Sequence, residues 1–544
     1  MLLLGLDVLC EARGTDRWRR LGFAVTACLV TIVVGRLRHR RDPANAQTPR
    51  CRKPRHGWLL SPVRNVRYNT GRPGSREHPD MLDLVTGTAQ RGRGGITRRD
   101  ALSVGSLGLG GLGLGSLQLS SLLRARAAST NTVRDKSIVL LFLTGGPSQI
   151  ETFDPKMTAP AEVRSVNGEL TTSLPGVTFG GTFPRLSRFA DRMAIVRSFT
   201  HGNANHTGGA QDVMRGGTGN QVGMGSIATR LRGTNHPRTG MPTQVYVSHQ
   251  EPDPQFNKER LRLLEAAGAG ELGAAYAPFD PLGDGPVNQN LTLNIPRNRL
   301  SDRRSLRQSL DRLARQTDAK GVMEGMDRFE QQAFNLLLGQ GRRAFDLSNE
   351  DPALVRRYDT GQFNTALRVK TRYSTLGRQL LLARRLCEAG CGFITVHNPG
   401  WDMHGGTTQF NIPFGMERLG RPVDQAVSVF LEDLQQRGLS DKVLLIITGE
   451  FGRTPKVKPD GGRDHWPRLS TLAFAGGGLP MGQVIGQSNR NAGEPATRPV
   501  SPRDLFGTVL ATMFNVGALR LLPDVPRDVA RLVEGARPIP ELVG

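Results

Sequence analysis

The chain has 544 residues and a formal net charge of +24, with 38% hydrophobic residues, 66 glycines and 34 prolines. This composition is typical of a folded, loop-rich protein and excludes a wholly disordered chain. The excess charge is concentrated in residues 1–99, which hold 20 Lys/Arg against 7 Asp/Glu. Aromatic residues make up only 6% and do not alternate with the basic ones, so we expect no nucleic-acid partner.

Residues 1–80 differ in character from the rest of the chain. They are rich in arginine, lack amphipathic periodicity and contain one apolar run, at 21–35. This run is shorter than the roughly 20 residues needed to span a bilayer. Two interpretations remain open. Either 1–80 is a misassigned extension and translation begins near Met81, or 21–35 is a membrane anchor.

Residues 81–128 contain an export pattern. Arg98 and Arg99 precede a Gly/Leu-rich stretch, and "ARA" at 125–127 offers small residues for cleavage. This order resembles a bacterial twin-arginine signal. We therefore expect a periplasmic or otherwise exported protein. Its membrane contact would be through this signal or the possible anchor.

From residue 129 to 544 strands and helices alternate, which predicts one α/β domain with a mostly parallel sheet and helices on both faces. The predicted strands lie at 137–144, 193–198, 243–248, 392–398, 442–450 and 469–479. Unbroken apolar runs such as "SIVLLFLT" are typical of parallel strands covered on both sides. Predicted helices include 375–390, about 421–437 and an N-capped helix at 501–517. Leucines at 306, 310 and 313 have helical spacing, so about 250–375 is predicted to be a helical insertion.

Four polar loops follow predicted strands, at 145–156, 200–209, 398–406 and 449–466. In an open α/β sheet the carboxyl ends of the strands form the ligand-binding edge. Five of the ten histidines lie in or beside these loops: His201, His206, His397, His404 and His465. The same loops carry carboxylates: Glu151, Asp154, Asp402, Glu450 and Asp464.

Imidazoles and carboxylates that converge from different loops suit one or two divalent metals. Two such ions could hold an anionic ester, and Arg453 and Lys456 would add cationic contacts to its oxygens. Each motif also has a purely structural interpretation. "WDMHGG" could be a hydrogen-bonded turn, "TFDPK" a turn before a proline, and Asp464 a salt-bridge partner. His397, at the end of an apolar strand, suits a packed position better than a ligand position.

Longer stretches carry a family resemblance. They are "LTGGPSQIETFDPK", "FPRLSRFADRMAIVRSFTHGNANHTGG", "LARRLCEAGCGFITVHNPGWDMHGG" and "ITGEFGRTPKV…GGRDHW". On these motifs the chain, from about residue 97 to 540, is identified as a member of the family called domain of unknown function 1501. That family is related to the alkaline phosphatase and sulfatase superfamily. The resemblance implies an alkaline-phosphatase-like three-layer fold, two divalent metals and a Ser/Thr nucleophile.

The resemblance also implies roles for individual residues. Asp402 and His404 resemble a metal-binding pair, His465 resembles the last metal histidine, and Glu450 stands where the superfamily has an aspartate. The nucleophile segment ends at His206 or Thr207. Two positions depart from the superfamily pattern. Thr144-Gly145-Gly146 replaces an expected Asp-Gly, and Phe451 replaces a histidine, so a one-metal enzyme or a fold without catalysis is also considered.

The sequence therefore predicts an exported, metal-dependent hydrolase of phosphate or sulfate esters. Its predicted cofactor is one or two ions of zinc, manganese or calcium, and its predicted partner is an anionic small-molecule or polysaccharide ester. The alternative is a non-catalytic binding or scaffold protein of the cell envelope on the same fold. The predicted metal ligands are Asp402, His404, Glu450, His465, Asp464 and Asp154. The predicted catalytic residues are Thr207, His206 and Arg453, with Arg453 holding the anion.

Overall fold

The computed structural model describes residues 132–543, except 220, 250–252, 283–335, 337–340, 368, 408, 520–524 and 526. The predicted extension (1–80), the predicted export signal (81–128) and the leucines at 306, 310 and 313 lie outside the described residues. Within the part of the chain that is described, no helix combines the length and apolar character needed to cross a bilayer.

Short strands and helices alternate along the described residues. The strands are β1 (Ser137–Thr144), β2 (Glu169–Thr171), β3 (Thr178–Gly180), β4 (Met193–Val196), β5 (Gln244–Val247), β6 (Phe393–Pro399), β7 (Val443–Thr448), β8 (Gly452–Arg453), β9 (His465–Trp466), β10 (Leu472–Gly476) and β11 (Gln483–Ile485). The helices are α1 (Gln149–Thr152), α2 (His206–Met214), α3 (Met224–Arg232), α4 (Asn257–Ala266), α5 (Pro352–Tyr358), α6 (Leu376–Glu388), α7 (Ile412–Gly415), α8 (Arg421–Gln436), α9 (Pro502–Met513), α10 (Val516–Leu519) and α11 (Arg527–Gly535).

Seven strands form the central sheet, in the order β11-β4-β10-β7-β1-β6-β5. Strands β5, β6, β1 and β7 are parallel neighbours, and β11 is parallel to β4. Strand β10 is antiparallel to both β4 and β7, so it is the one reversed strand of this sheet. The predicted mostly parallel α/β sheet is therefore confirmed.

Both faces of the sheet are covered, which explains the unbroken apolar run of β1. Alternate residues of this strand enter two different hydrophobic clusters, Val139 and Leu141 on one face and Leu140 and Phe142 on the other. Helices α6 and α8 pack into the first cluster, and α2, α3, α4 and α9 pack into the second. The result is the predicted three-layer arrangement of helices, sheet and helices.

Helix ends follow local sequence signals. Ser501 caps α9 through a reciprocal hydrogen-bonded arrangement with Asp504, and Pro502 occupies the first turn. The helix ends at Met513, earlier than predicted. In the predicted insertion at 250–375, the described residues include α4, α5 and short 3-10 turns.

Strands β1, β4, β6 and β7 point the same way, so their carboxyl ends meet at one edge of the sheet. The four loops predicted to gather there are joined by hydrogen bonds. The Gly145 N–H donates to Glu450 Oε1 (2.8 Å), and the Trp401 N–H donates to the Thr144 carbonyl (3.0 Å). A glycine is required at 145, because its φ is +119° and a Cβ there would lie 2.4 Å from the Asp402 nitrogen.

Candidate metal centre

Three imidazoles converge on the carboxylate of Asp402, which lies in the loop after β6. The Nε2 atoms of His404 and His465 are 3.0 and 3.1 Å from Asp402 Oδ1. The Nε2 atom of His206 is 3.5 Å from Oδ2 of the same carboxylate. Because these histidines come from three loops, the cluster forms only when the sheet edge is assembled.

Each imidazole is held at its other nitrogen by a separate oxygen. The pairs are His206 Nδ1 with Glu450 Oε1 at 2.7 Å, His404 Nδ1 with Asp464 Oδ1 at 2.7 Å, and His465 Nδ1 with the Ala204 carbonyl at 2.8 Å. In a neutral imidazole an acceptor at Nδ1 favours a proton on that nitrogen, so that Nε2, once it has lost any proton of its own, can offer its lone pair to a metal. All three Nε2 atoms are thereby directed toward one point beside Asp402.

Secondary structure positions two of these histidines. His206 is the first residue of α2, and the N-cap Asn205 accepts hydrogen bonds from the backbone N–H groups of Thr207 and Gly208 at 2.9 and 3.2 Å. His465 lies in β9, directly opposite Arg453 of β8 in a two-stranded antiparallel ribbon. The ribbon fixes the backbone of His465, whose ring lies against that of Phe451.

The charges in the cluster stabilise one another. Burial lowers the pKa of His206, but hydrogen bonds to Asp402 and Glu450 outweigh it and raise that pKa to about 9. Burial raises the pKa of Asp402, but hydrogen bonds from the three histidines, together with the charge of Arg453, hold it far below its usual range. Without a metal, the cluster at pH 7 is therefore a carboxylate beside a protonated His206.

Within the described residues, His206, Asp402 and His465 form a group whose ligand atoms all lie within 4.8 Å of one another. His404 adds a neighbouring donor, because its Nε2 lies 2.8 Å from that of His465. Two or three imidazoles with one carboxylate make up the usual donor set of a zinc site, and a three-ligand set leaves a position for a substrate or water. The residues present therefore fit a divalent metal.

The family described as "Protein of unknown function (DUF1501)" matches residues 135–543. The chain belongs to this family. No curated protein matches it.

Solved structures similar to this DUF1501 protein include a sulfatase, a phosphonate monoester hydrolase and an alkaline phosphatase. A sulfatase from Pseudoalteromonas sp. is 12% identical, with a TM-score of 0.29, over 72% of this chain and 70% of that one. A phosphonate monoester hydrolase from Silicibacter pomeroyi is 10% identical, with a TM-score of 0.31, over 69% and 73%. A mutant TAB5 alkaline phosphatase with magnesium bound is 9% identical, with a TM-score of 0.28, over 70% and 98%. At these sequence identities and TM-scores, no residue of the site is assigned by comparison with those structures.

Glu450 and Asp464, both predicted as metal ligands, contact histidines of the cluster. Glu450 is fully buried, and its Oε1 contacts His206 and the Gly145 N–H. Its Oε2 is buried and has no hydrogen-bond partner among the described residues. Asp464 is exposed and pairs with both His404 and Lys458. Both carboxylates orient the imidazoles of the DUF1501 centre.

The structure corrects the role predicted for Arg453. This side chain is fully buried and donates to Asp402 Oδ1 (2.6 Å) and to backbone carbonyls. The carbonyl acceptors are Gly146 at 2.9 Å, Arg463 at 3.0 Å, Trp401 at 3.2 Å and Gly145. These contacts hold Asp402 and the loops in place and leave the Arg453 guanidinium enclosed by protein.

Phe451 forms the wall of the centre where the superfamily pattern has a histidine. Its ring centroid lies 4.3 Å from that of His465 and 5.1 Å from that of His206. The side chain is fully buried. A phenyl ring supplies no metal ligand, so this side of the centre packs the imidazoles instead of binding an ion.

Other predicted residues lie around or away from the cluster. Thr207 is half-buried in the first turn of α2, next to His206. The structure does not bring Asp154 to the cluster, because its carboxylate pairs with Lys156 and Arg197, each at 3.4 Å, and with Ser488. Asp154 is therefore occupied by Lys156, Arg197 and Ser488, outside the histidine cluster.

Glu151 and His397 also lie apart from the metal centre. Glu151 is fully buried and pairs with Arg463 at 3.1 Å. His397 is buried and stacks on Tyr246, with ring centroids 6.1 Å apart, as expected for a packed histidine.

Sequence reasoning missed Gln409, whose Nε2 donates to Asp402 Oδ2 at 2.7 Å. Nothing in the sequence distinguishes this glutamine from other loop amides except its place in the segment that follows Asp402. Its hydrogen bond helps to fix the orientation of the Asp402 carboxylate.

Proposed function

We propose that this DUF1501 protein is an exported, metal-dependent hydrolase of phosphate or sulfate esters. The observation that carries the proposal is the convergence of three Nε2 atoms on Asp402, each imidazole being held at Nδ1 by its own oxygen. Arrays of this kind, with outer oxygens orienting the ligands, are what metal sites require.

We assign His206, Asp402 and His465 as the ligands of a single ion. A majority of imidazole donors favours zinc over calcium, which prefers oxygen ligands. One ion is favoured over two because Phe451 and the enclosed guanidinium of Arg453 fill the adjoining space. When bound, the ion would supply positive charge to polarise an ester oxygen.

The chain's own groups provide the remaining chemistry. His404 is partly exposed beside the ligands, and its Nδ1 is held by Asp464, so its Nε2 can give or take a proton. Thr207 is the candidate nucleophile, since its hydroxyl-bearing side chain follows His206 at the start of α2. Arg453 fixes Asp402, which binds and orients but does not react.

The test is metal content measured by mass spectrometry on protein purified without chelators. Wild type should contain about one equivalent, and Asp402→Ala and His465→Ala should each lose it. Asp154→Ala is the matched control, because Asp154 lies outside the cluster, and it should retain the metal. A panel of aryl phosphate and aryl sulfate esters then tests hydrolysis, with Thr207→Ala expected to reduce kcat by at least about 100-fold.

A non-catalytic binding protein is the second candidate, favoured by Phe451 in a predicted ligand position. Metal retained without turnover of any ester in the panel would support it. The proposed export rests on Arg98 and Arg99, which precede the apolar Gly/Leu stretch. Replacing both by lysine should leave the protein in the cytoplasmic fraction.

A further inference from the structure

A cavity of about 500 Å³ lies beside the metal centre, between segment 157–168 and loop 457–461. Its charged lining residues are Arg164 and Lys458, and none of the described lining residues is acidic. This volume is in the range of ligand-binding pockets, which is roughly 300–1,000 Å³. Because both charged residues of the described lining are cations, the cavity suits an anionic group.

A buried ion pair fixes one wall of the cavity. Glu151 and Arg463 are both fully buried and lie 3.1 Å apart. Glu151 accepts hydrogen bonds from Ser165 Oγ (2.8 Å) and Asn167 Nδ2 (3.0 Å). Arg463 Nη2 donates to the carbonyl of Arg164 (3.1 Å). The backbone that presents Arg164 is therefore held in place before any ligand arrives.

The cavity is connected to the metal centre through two contacts. Lys458 Nζ lies 3.1 Å from Asp464 Oδ1, and the same oxygen lies 2.7 Å from His404 Nδ1. One carboxylate and one imidazole thus separate the cavity from Asp402. The metal centre and the cavity are thus joined through Asp464 and His404.

We propose that the cavity binds a second anionic group of the substrate, so that the substrate class is an ester with at least two sulfate or phosphate groups, such as a multiply sulfated saccharide. This inference rests on the proposed function. Arg164 is exposed, so its guanidinium is open to a bidentate contact with a sulfate or phosphate. An ester with a single anionic group, bound at the metal centre, would not make this contact with Arg164.

The test compares two disaccharides of the same skeleton, one monosulfated and one disulfated, by calorimetric titration of the metal-loaded protein. Wild type should bind the disulfated compound about tenfold more tightly. Arg164→Gln should reduce this ratio to about two, and Arg164→Lys, which keeps the charge but not the bidentate contact, should give an intermediate ratio. Arg188→Gln, which removes an exposed arginine outside the cavity, should leave the ratio unchanged.

Adding inorganic sulfate together with the monosulfated compound tests whether the cavity binds a free anion instead of a second group of the substrate. Tighter binding of that compound in sulfate would assign the cavity to a free anion and overturn the proposal. Equal affinity for the two saccharides, while a monosulfated ester is still hydrolysed, would overturn this inference alone. If wild type prefers the disulfated compound but hydrolyses neither, and Arg164→Gln abolishes the preference, the proposed hydrolase activity is overturned. The proposed anion-binding cavity then still stands.

Discussion

Glu450 Oε1 lies 2.7 Å from His206 Nδ1, and the same oxygen accepts the Gly145 N–H at 2.8 Å. One buried carboxylate thus ties the loop after β1, the start of α2 and the end of β7 together. Its position fixes the ring of His206 so that Nε2 faces Asp402.

Glu450→Gln should weaken zinc binding by roughly 10–100-fold, because the amide no longer provides a charged acceptor at His206 Nδ1. Competition with a chromogenic chelator measures this affinity. Glu494→Gln, at an exposed position, is the control and should bind zinc like wild type. Unchanged affinity in Glu450→Gln would show that Glu450 does not orient the ligand.

Zinc binding at pH 7 should release about one proton. The pKa of His206 is raised to about 9, so His206 carries a proton at neutral pH and must lose it to bind a metal. The affinity should consequently rise as the pH increases toward 9 and then level off. Calorimetry at pH 7 in two buffers of different ionisation enthalpy counts the protons. Equal apparent enthalpies in the two buffers would contradict the assignment of His206 as a ligand.

Arg453→Met should lower the free energy of unfolding by about 3–5 kcal/mol, because it leaves the Asp402 carboxylate and several buried carbonyls without their donor. Chemical denaturation of the metal-free protein measures this loss. Arg188→Met at an exposed site should change stability by less than about 0.5 kcal/mol. A similarly small effect at Arg453 would mean that water replaces its hydrogen bonds.

The stability of the protein should depend on pH through Asp424 in α8. Its carboxylate accepts the Arg185 and Leu186 N–H groups at 3.0 and 2.7 Å, but burial outweighs these bonds and raises the pKa to about 6. Because the folded-state pKa is the higher one, this contribution is full below pH 4 and is lost as the pH rises through 6. It amounts to roughly 3 kcal/mol.

Asp424→Asn should remove that pH dependence. Its free energy of unfolding, measured with urea between pH 4 and 7, should lack the decline expected of wild type over this interval. The two proteins are compared by the slope of the free energy of unfolding against pH, because the amide alters the absolute stability at every pH. Parallel pH profiles for the two proteins would contradict a raised pKa at Asp424.

The sequence predicted the sheet well because burial on both faces leaves an unbroken apolar run, as in Ser137–Thr144 and Val443–Thr448. It also predicted that polar loops gather at one edge, since parallel strands share a carboxyl end. It did not predict the reversed direction of β10, because an apolar strand has the same pattern in either direction.

The sequence did not predict which carboxylate is the proposed metal ligand and which carboxylates instead orient its histidines. Asp402, Glu450 and Asp464 are all carboxylates that follow strands, and periodicity does not tell which one faces three imidazoles. That distinction depends on close loop packing, such as Gly145 against Asp402. The burial of Arg453 likewise depends on carbonyls from distant segments, which no local pattern records.

The three histidines of the centre come from the start of α2, the loop after β6 and the ribbon formed by β8 and β9. These segments are far apart in the chain, and the insertion predicted at 250–375 separates the first from the others. A growing polypeptide cannot complete this cluster before His465 has been synthesised, which is after β7. Metal loading is therefore expected to be a late event in the synthesis and folding of the chain.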